Sequence, residues 1–327
     1  MAKFLIIQTA FIGDVILSTP VVEKLKKEFP GCRIDFLLRK GNEGLFENHP
    51  LISKIYIWNK KEKKYAGMFS LLKEIRKEKY DYAINLQRFF TTGIFTAFSG
   101  AAVKIGFNKN PLSFCFNKRY KHVIDPSKGE IHEVDRNLTL ISGIVRNGGR
   151  QMPRLYPSKN DYELVPGTPY ITISPTSVWF TKQYPAKYWI EMIRRVPSPY
   201  SVYLLGGKGD AEACQAIVDE SGRDNVGNMA GKLSFLQSAA YMRSAKMNYV
   251  NDSAPLHIAS AMHAPVTAVF CSTTPGFGFG PLRDNSRIAE VDPSPSCKPC
   301  GLHGYKACPL GHFKCADIDP LYVLGEI

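Results

Sequence analysis

The fold of this chain is decided by residues Lys3–Gln8 (KFLIIQ) and the turn TAFIGD at 9–14 that follows them. The first segment is a short apolar run of the kind that forms a buried strand. Apolar residues then recur at helical spacing after the turn: Val15, Leu17, Val22, Leu25 and Phe29. The pattern predicts a strand, a glycine turn and one helix over Val15–Phe29.

The same alternation of strand and helix continues along the chain. The predicted strands of the first half are Arg33–Leu38, Ile55–Trp58, Asp81–Leu86 and Ala101–Phe107, with a helix at Met68–Lys77; the pattern weakens over Asn108–Asp125. A stretch rich in proline, Met152–Thr168, reads as a linker. The alternation of strands and helices begins again at Tyr170–Ser174. It predicts two α/β domains with parallel sheets, at 1–155 and 169–327.

The charge is distributed unevenly between these halves. The 327 residues are 44% hydrophobic and 22% charged, with a net charge of +13. Residues 1–160 hold 28 basic and 14 acidic side chains, whereas residues 161–327 hold 14 and 15. The excess predicts that the first half meets an anionic partner: nucleic acid, an acidic membrane surface or a phosphorylated substrate.

Two features of the sequence predict a cytoplasmic protein. No apolar stretch approaches the roughly 20 residues of a membrane-spanning helix, and the run at Phe4–Ile7 is too short for the core of a signal peptide. Four cysteines are scattered as buried apolar residues usually are: Cys32, Cys115, Cys214 and Cys271. A disulfide framework is therefore not expected.

Three familiar nucleotide motifs are absent or incomplete. A dinucleotide fold needs G-x-G-x-x-G after its first strand, and only Gly13 is present there. Gly227–Leu233 (GNMAGKL) is one residue short of a Walker A loop and has Leu233 in place of the magnesium-binding hydroxyl. The D-x-D at Asp317–Asp319 follows a cysteine cluster and reads as the start of a helix.

Asp14 is the first candidate catalytic residue. A carboxylate at a strand-to-helix turn is stabilised by the amide donors of the helix, so one interpretation is an N-cap. The other is a general base.

Two polar segments at strand ends predict an anion site in the second half. One begins with Ser174-Pro175-Thr176-Ser177 and continues to Lys182. The other runs through Asp252-Ser253-Ala254 into a predicted helix, with His257 one turn further on. Hydroxyl groups, a lysine and the free amides of a helix start suit phosphate oxygens.

Taken in order, these segments resemble glycosyltransferase family 9, the ADP-heptose:lipopolysaccharide heptosyltransferases. The likeness covers nearly the whole chain. It is carried by Phe11–Pro20, Tyr80–Leu86, Gly106-Phe107, His132 with Arg136, Ser174–Trp189, Met229–Ser234 and Asp252-Ser253-Ala254 with His257.

The resemblance implies a GT-B fold, with two Rossmann-like domains whose parallel sheets face each other across a cleft. It implies inverting, metal-independent transfer of heptose from ADP-heptose to a lipopolysaccharide inner-core acceptor. Asp14 would take the acceptor proton, and Lys182 with the helix start at Ser253-Ala254 would stabilise the leaving diphosphate. The donor residues would be Ser174, Thr176, Lys182, Asp252, Ser253, Ala254 and His257, with Asp252 orienting the turn or a sugar hydroxyl.

The acceptor side departs from the family pattern. Many members have Arg or Ser just before the Gly-Asp turn, where this chain has Thr9-Ala10-Phe11. Positive charge for an acidic acceptor would come from Arg88, Arg119 and Arg136. The acidic residue that binds the nucleotide ribose has no clear counterpart, and Asp210 and Glu212 are both candidates.

The remaining cysteines form a cluster near the end of the chain: Cys297, Cys300, Cys308 and Cys315. Four thiols could hold a structural zinc ion, although the spacing is not a common finger pattern. Reduced thiols in a loop are the alternative. No other cofactor is expected.

The sequence therefore predicts a monomeric, cytoplasmic glycosyltransferase that is peripheral on the inner membrane. Its partners would be a nucleotide-sugar donor and an anionic glycolipid acceptor, without nucleic acid, because no nucleic-acid motif accompanies the charge. One alternative is a related transferase that uses another nucleotide sugar on a different surface glycan. A non-catalytic protein that binds anions or lipids is the other.

Overall fold

The computed structural model describes residues 1–62, 64–125, 131–146 and 148–327. The described chain divides into two compact units, one formed by Met1–Asp125 with Ile131–Tyr156 and the other by Pro157–Ile327. Each is an α/β unit built on one six-stranded parallel sheet. No helix of the described residues is both long and apolar enough to cross a bilayer.

Unit 1 has the strand order β3-β2-β1-β4-β5-β6, and every neighbouring pair is parallel. Its strands are β1 Lys3–Ile7, β2 Arg33–Arg39, β3 Lys54–Trp58, β4 Tyr82–Asn85, β5 Val103–Phe107 and β6 Lys118–Tyr120. Its helices are α1 Ile12–Ile16, α2 Thr19–Glu28, α3 Lys64–Glu78, α4 Phe90–Phe98 and α5 Glu133–Thr139.

The central strand of unit 1 is β1, whose residues Phe4–Ile7 are completely buried. A parallel strand covered by helices on both faces is apolar throughout, as this one is. Helices α3 and α4 pack on one face, where Trp58 and Phe95 meet edge to face with ring centroids 5.2 Å apart. Met68, Leu72 and Ile75 of α3 belong to the same buried cluster, so both helices pack against the sheet.

Unit 2 repeats the plan with the order β12-β11-β10-β7-β8-β9, again parallel throughout. Its strands are β7 Tyr170–Ser174, β8 Ser201–Leu204, β9 Val226–Asn228, β10 Asn248–Asn251, β11 Val266–Val269 and β12 Ser286–Ala289. Its helices are α6 Lys159–Tyr162, α7 Ala186–Arg194, α8 Ala211–Ser221, α9 Phe235–Ser244, α10 Ala254–Met262 and α11 Pro320–Leu324. The core centres on Trp189 and Tyr184, whose rings meet edge to face at 4.9 Å.

The predicted single helix over Val15–Phe29 is wrong, because the structure has two helices that meet at Leu17-Ser18. The Ser18 hydroxyl donates to the carbonyl of Val15, and the Thr19 hydroxyl donates to that of Ile16. Pro20 follows, and it cannot donate an amide hydrogen bond to the preceding turn. These three residues end α1 and start α2.

The strands that the sequence did not reveal are β6, β9 and β12, which lie at the edges of the two sheets. Each has three or four residues, and edge strands bury less apolar surface than central ones. None of them therefore shows a continuous apolar run. The strands predicted from apolar runs, which correspond to β1–β5 and β7, match the structure to within two residues at each end.

Candidate functional site

Unit 2 brings its polar strand ends together at one edge of its sheet. Strands β7, β10 and β11 are neighbours and run parallel, so the segments that follow Ser174, Asn251 and Val269 leave the sheet on the same side. Ligands of open α/β sheets bind at this carboxyl edge. The structure thus places the two predicted donor segments side by side.

Lys182 and Asp252 form an ion pair between these segments. The Nζ of Lys182 lies 2.6 Å from Oδ2 of Asp252, and the two side chains are only 14% and 6% exposed. The same carboxylate oxygen accepts a hydrogen bond from the Thr273 hydroxyl at 2.6 Å. A buried ammonium is therefore held at the strand ends by a carboxylate that is itself hydrogen-bonded.

The loop that carries Lys182 is fixed from the other side by residues just beyond β11 and by the cysteine-rich segment. Thr181 donates its amide to the carbonyl of Tyr305, and its hydroxyl accepts from the amide of Tyr305 and the hydroxyl of Ser272. Gly304 has φ +73°, and a Cβ there would lie 3.2 Å from Cγ of Lys182. The cysteine-rich segment therefore supports the lysine.

Asn251 links the two donor segments through its side chain. Its Oδ1 accepts from the amide of Tyr184 at 2.9 Å, and its Nδ2 donates to the carbonyl of Pro175 at 2.8 Å. Ser174 is buried, and its hydroxyl has no hydrogen-bond partner among the residues that the structure describes. Thr176 is half-buried in the loop beyond it.

Helix α10 begins directly after Asp252, with Ser253 as its N-cap and Ala254 as its first residue. The Ser253 side chain makes no capping hydrogen bond, so the helix start keeps its donor capacity for a ligand. His257 is on this helix but is 95% buried, with its ring 6.4 Å from that of Phe279. It lies inside the unit rather than on its surface.

Of the two candidate ribose ligands, Asp210 has a local structural task. Its Oδ2 accepts from the amide of Gly207 at 2.7 Å in the turn before α8. Gly206 leaves no room for a side chain, since a Cβ there would lie 2.8 Å from the Cβ of Asp210. Glu212, in the first turn of α8, is exposed.

Replacing Asp252 by Asn should destabilise unit 2 by about 3 kcal/mol, because the Lys182 ammonium would stay buried without its counterion. The double variant Asp252→Asn/Lys182→Met should recover part of that loss. Urea unfolding of the single and double variants measures the coupling. Additive losses would mean that the two charges do not interact.

In unit 1, side chains from three strand ends fix the turn between β1 and α1. The amide and hydroxyl of Thr9 both donate to Oε1 of Gln87, which follows β4. Lys60, after β3, donates to the carbonyl of Thr9 at 2.7 Å, and Asn42, after β2, donates to that of Ala10 at 2.9 Å. The turn before Asp14 is therefore rigidly placed at the carboxyl edge of the sheet.

Asp14 is the third residue of α1, whose N-cap is Phe11. The interpretation of Asp14 as an N-cap is therefore wrong, because the helix begins three residues earlier than the sequence pattern indicates. A carboxylate in the first turn is still stabilised by the helix N-terminus. Arg39 lies 4.7 Å above the ring of Phe11, and its guanidinium interacts electrostatically with Asp14.

A buried ion pair lies within electrostatic reach of Asp14. Arg136 Nε donates to Oε2 of Glu133 at 2.7 Å, and its Nη1 donates to the carbonyl of Ile131. Burial raises the pKa of Glu133 to about 7, with the Asp14 charge acting in the same direction and Arg136 against it. The guanidinium of Arg136 is thus engaged inside the unit and supplies charge rather than an exposed donor group.

Arg88 is half-buried after β4, and its charge also acts on Glu133. Burial, together with the charges of Arg88, Arg136 and Lys109, lowers the pKa of His122 to about 4. The structure therefore brings Asp14, Arg88 and Arg136 into one electrostatic group. Arg119 is exposed on the edge strand β6.

As the pH drops from 6.5 to 4, two buried histidines should lower the stability of unit 1, and this loss should exceed the opposing gain from Glu133, whose raised pKa lets the folded chain bind a proton before the unfolded chain does. His122 and His49 are both buried with pKa values lowered to about 4, so the unfolded chain binds protons that the folded chain does not. Each histidine should cost about 3 kcal/mol at full protonation. His122→Phe keeps a ring against Phe107 and should remove about half of the histidine contribution, measured as the difference between its chemical-unfolding pH profile and that of wild type. An unchanged pH profile would contradict the assignment.

The supporting residues that sequence reasoning missed are Gln87, Lys60, Thr181, Ser272, Thr273 and Glu133. Ser272 and Thr273 belong to the run Cys271–Thr274 (CSTT), which follows β11 just as the Ser174 segment follows β7. A polar run after β11 was the signal available for that pair. No sequence signal marked Glu133, since its raised pKa depends on burial that only the fold reveals.

The cysteine cluster lies partly buried in a loop region after β12, with all eight cysteines of the chain in the free form. Sγ of Cys297 lies 3.9 Å from Nε2 of His312, and Cys315 is buried. Among the described residues, no three His, Cys, Asp or Glu side chains are grouped so that they could hold a metal ion. The arrangement adds no support for the zinc site, which stays a prediction.

Comparison with known proteins identifies relatives of this chain. Residues 68–303 match the model of glycosyltransferase family 9 (heptosyltransferase). Lipopolysaccharide heptosyltransferase 3 of Escherichia coli is 30% identical over 280 residues, which are 80% of this chain and 82% of that protein.

Solved structures show the same fold. E. coli ADP-heptose LPS heptosyltransferase II matches with a TM-score of 0.80 at 22% identity, over 98% of this chain and 96% of that one. E. coli heptosyltransferase WaaC with ADP-2-deoxy-2-fluoro heptose matches with a TM-score of 0.71 at 18% identity, over 88% and 93%. The predicted GT-B fold, with two parallel-sheet α/β domains, is confirmed.

Proposed function

Because this chain belongs to glycosyltransferase family 9 and is therefore a glycosyltransferase, we propose that it transfers heptose from ADP-heptose to a lipopolysaccharide inner-core acceptor. The observation that carries the proposal is the buried Lys182–Asp252 pair at the carboxyl edge of unit 2, beside the start of α10. The donor identity is supported by the neighbour WaaC, which has an ADP-heptose analogue bound.

Unit 2 would hold the donor diphosphate with two kinds of positive potential. Lys182 supplies a full charge, and the N-terminus of α10 supplies amide donors and the helix dipole. Asp252 is committed to Lys182 and Thr273, so it acts by positioning the ammonium rather than by touching phosphate, which it would repel. Both positive groups strengthen their interaction as charge develops on the leaving ADP.

Asp14 would be the general base of unit 1. An acceptor hydroxyl attacks the anomeric carbon of the heptose, the new carbon–oxygen bond forms as the bond to ADP breaks, and the hydroxyl proton passes to Asp14. A single displacement inverts the anomeric configuration. Arg88 and the charge of Arg136 would favour an acidic acceptor at the same edge of the sheet.

Asp14→Asn should lower kcat by at least about a hundredfold, because the amide cannot accept the proton. The dissociation constant of the donor should stay unchanged, since unit 2 holds the diphosphate. Turnover assays and calorimetric titration of donor measure the two effects, with Glu47→Gln, an exposed carboxylate of unit 1, as the matched control. Near-normal turnover of Asp14→Asn would refute the base assignment.

Transfer should persist in excess EDTA, because Lys182 and the start of α10 occupy the role of a divalent cation at the diphosphate. The assay is initial rate with and without chelator, after prior dialysis against it. Strict dependence on added Mg²⁺ would contradict the proposal that Lys182 and the start of α10 take the place of a divalent cation. The variant Lys182→Met should lose most of its turnover, and added Mg²⁺ should not restore it.

The proposed place of action is the cytoplasmic face of the inner membrane, where a monomer would meet a lipid-linked acceptor. The support is electrostatic, since residues 1–160 carry twice as many basic as acidic side chains. Of the alternatives, a non-catalytic anion or lipid binder would tolerate Asp14→Asn without loss. A transferase for another nucleotide sugar would lose turnover but prefer a different donor.

A further inference from the structure

Unit 1 has an apolar groove between α3 and α4 that the reaction does not use. Its volume is about 630 Å³. The lining residues are Met68, Phe69, Leu72, Lys73, Arg76, Phe90, Ile94, Phe98 and Leu112. A groove of this size and composition is suited to hydrocarbon rather than to a polar ligand.

The outer face of α4 is unusual for a helix in contact with water. The helix Phe90–Phe98 contains no charged residue, and Phe90, Ile94 and Phe98 recur every fourth position along the outward side. The opposite side, including Phe95, is buried against the sheet. A helix whose outward side is apolar is normally covered by protein or by lipid.

Helix α3 supplies the other wall of the groove. Phe69 is 64% exposed and Phe98 is 56% exposed, so both rings present most of their surface to the exterior. Tyr65, one turn before Phe69, is also exposed. Burying these rings in an apolar medium would favour binding to it.

The rim of the groove is positively charged. Lys73 and Arg76 line it, and Lys77 is the next exposed residue of α3. The exposed residues of α3 over 73–77 are three basic ones, Lys73, Arg76 and Lys77, and one acidic one, Glu74. Glu78 is paired with Arg33 at 2.9 Å and with Lys54 at 3.5 Å, so the rim keeps a basic excess. Anionic headgroups complement such a rim, whereas a second copy of this face would repel it.

The groove adjoins the candidate acceptor edge. Phe90 begins α4 directly after Arg88 and Phe89 at the end of β4. Asn110 fixes this junction by donating to the carbonyl of Phe89 at 2.9 Å, and Leu112 of the same loop lines the groove. An acceptor at Arg88 could thus have its lipid portion in the layer that the groove faces.

We propose that the α3–α4 groove docks on an anionic lipid bilayer, with Phe69, Phe90 and Phe98 in the acyl region and Lys73 and Arg76 at the headgroups. The inference rests on the proposed function only in that the acceptor is lipid-linked. The binding itself requires neither donor nor turnover. The mode of insertion is that of interfacial amphipathic helices.

Vesicle sedimentation of the full chain tests the proposal. Wild type should bind vesicles of phosphatidylglycerol and phosphatidylethanolamine and lose affinity for pure phosphatidylcholine or in high salt. Phe69→Ser/Phe98→Ser should bind the anionic vesicles at least about tenfold more weakly. Leu321→Ser, which alters a half-exposed apolar residue of α11 in unit 2, is the matched control and should bind as wild type does.

A tryptophan probe tests insertion directly and does not depend on a loss of binding. The fluorescence of Phe69→Trp should shift to the blue and be quenched by brominated acyl chains, whereas that of Leu321→Trp should not. A charge variant, Lys73→Glu/Lys77→Glu, should weaken binding to anionic vesicles while circular dichroism shows an intact fold. If the serine variant and the charge variant both bind anionic vesicles as strongly as wild type does, the proposal is overturned.

Two further outcomes separate the alternatives. If wild type is a dimer that Phe69→Ser/Phe98→Ser converts to a monomer, the groove is an interface between copies and the bilayer proposal fails. Turnover on a deacylated, water-soluble acceptor should be unchanged in the serine variant. If wild type binds vesicles through the groove but transfers heptose to no acceptor, the proposed function fails and the docking surface stands.

Discussion

The contact between Lys182 and Asp252 is the constraint on which the candidate site of unit 2 depends. Burying an ammonium is costly unless a counterion and further hydrogen bonds accompany it, and here the carboxylate is held in turn by Thr273. The contact joins the loops that follow β7, β10 and β11. It therefore fixes a positive charge beside the start of α10, where a diphosphate would meet both.

Unit 1 uses its charges differently, and this difference matches the two kinds of substrate proposed. Its turn before Asp14 is held by neutral and cationic side chains from neighbouring strand ends, and the pair Glu133–Arg136 is buried behind it. The basic excess of this half then continues to the rim of the α3–α4 groove. These charges favour a small soluble donor on unit 2 and a membrane-bound, anionic acceptor on unit 1.

The sequence predicted what depends on local pattern and missed what depends on tertiary contact. A central strand such as β1 is apolar because it is covered on both faces, so it could be predicted, whereas the short edge strand β6 could not. The Lys182 and Asp252 segments could be predicted as polar strand ends. Their direct pairing could not, because 70 residues separate them and only the strand order brings them together. The groove required knowing which face of α4 is outward.

The central claim is that this glycosyltransferase uses an ADP-activated heptose. The most direct measurement offers the purified chain a panel of ADP-, UDP- and GDP-linked sugars with a lipopolysaccharide inner-core acceptor, and follows nucleotide release and acceptor mass together. We expect release of ADP coupled to gain of one heptose by the acceptor, and little turnover of the other donors. Efficient transfer from a UDP- or GDP-linked sugar, with none from ADP-heptose, would contradict it.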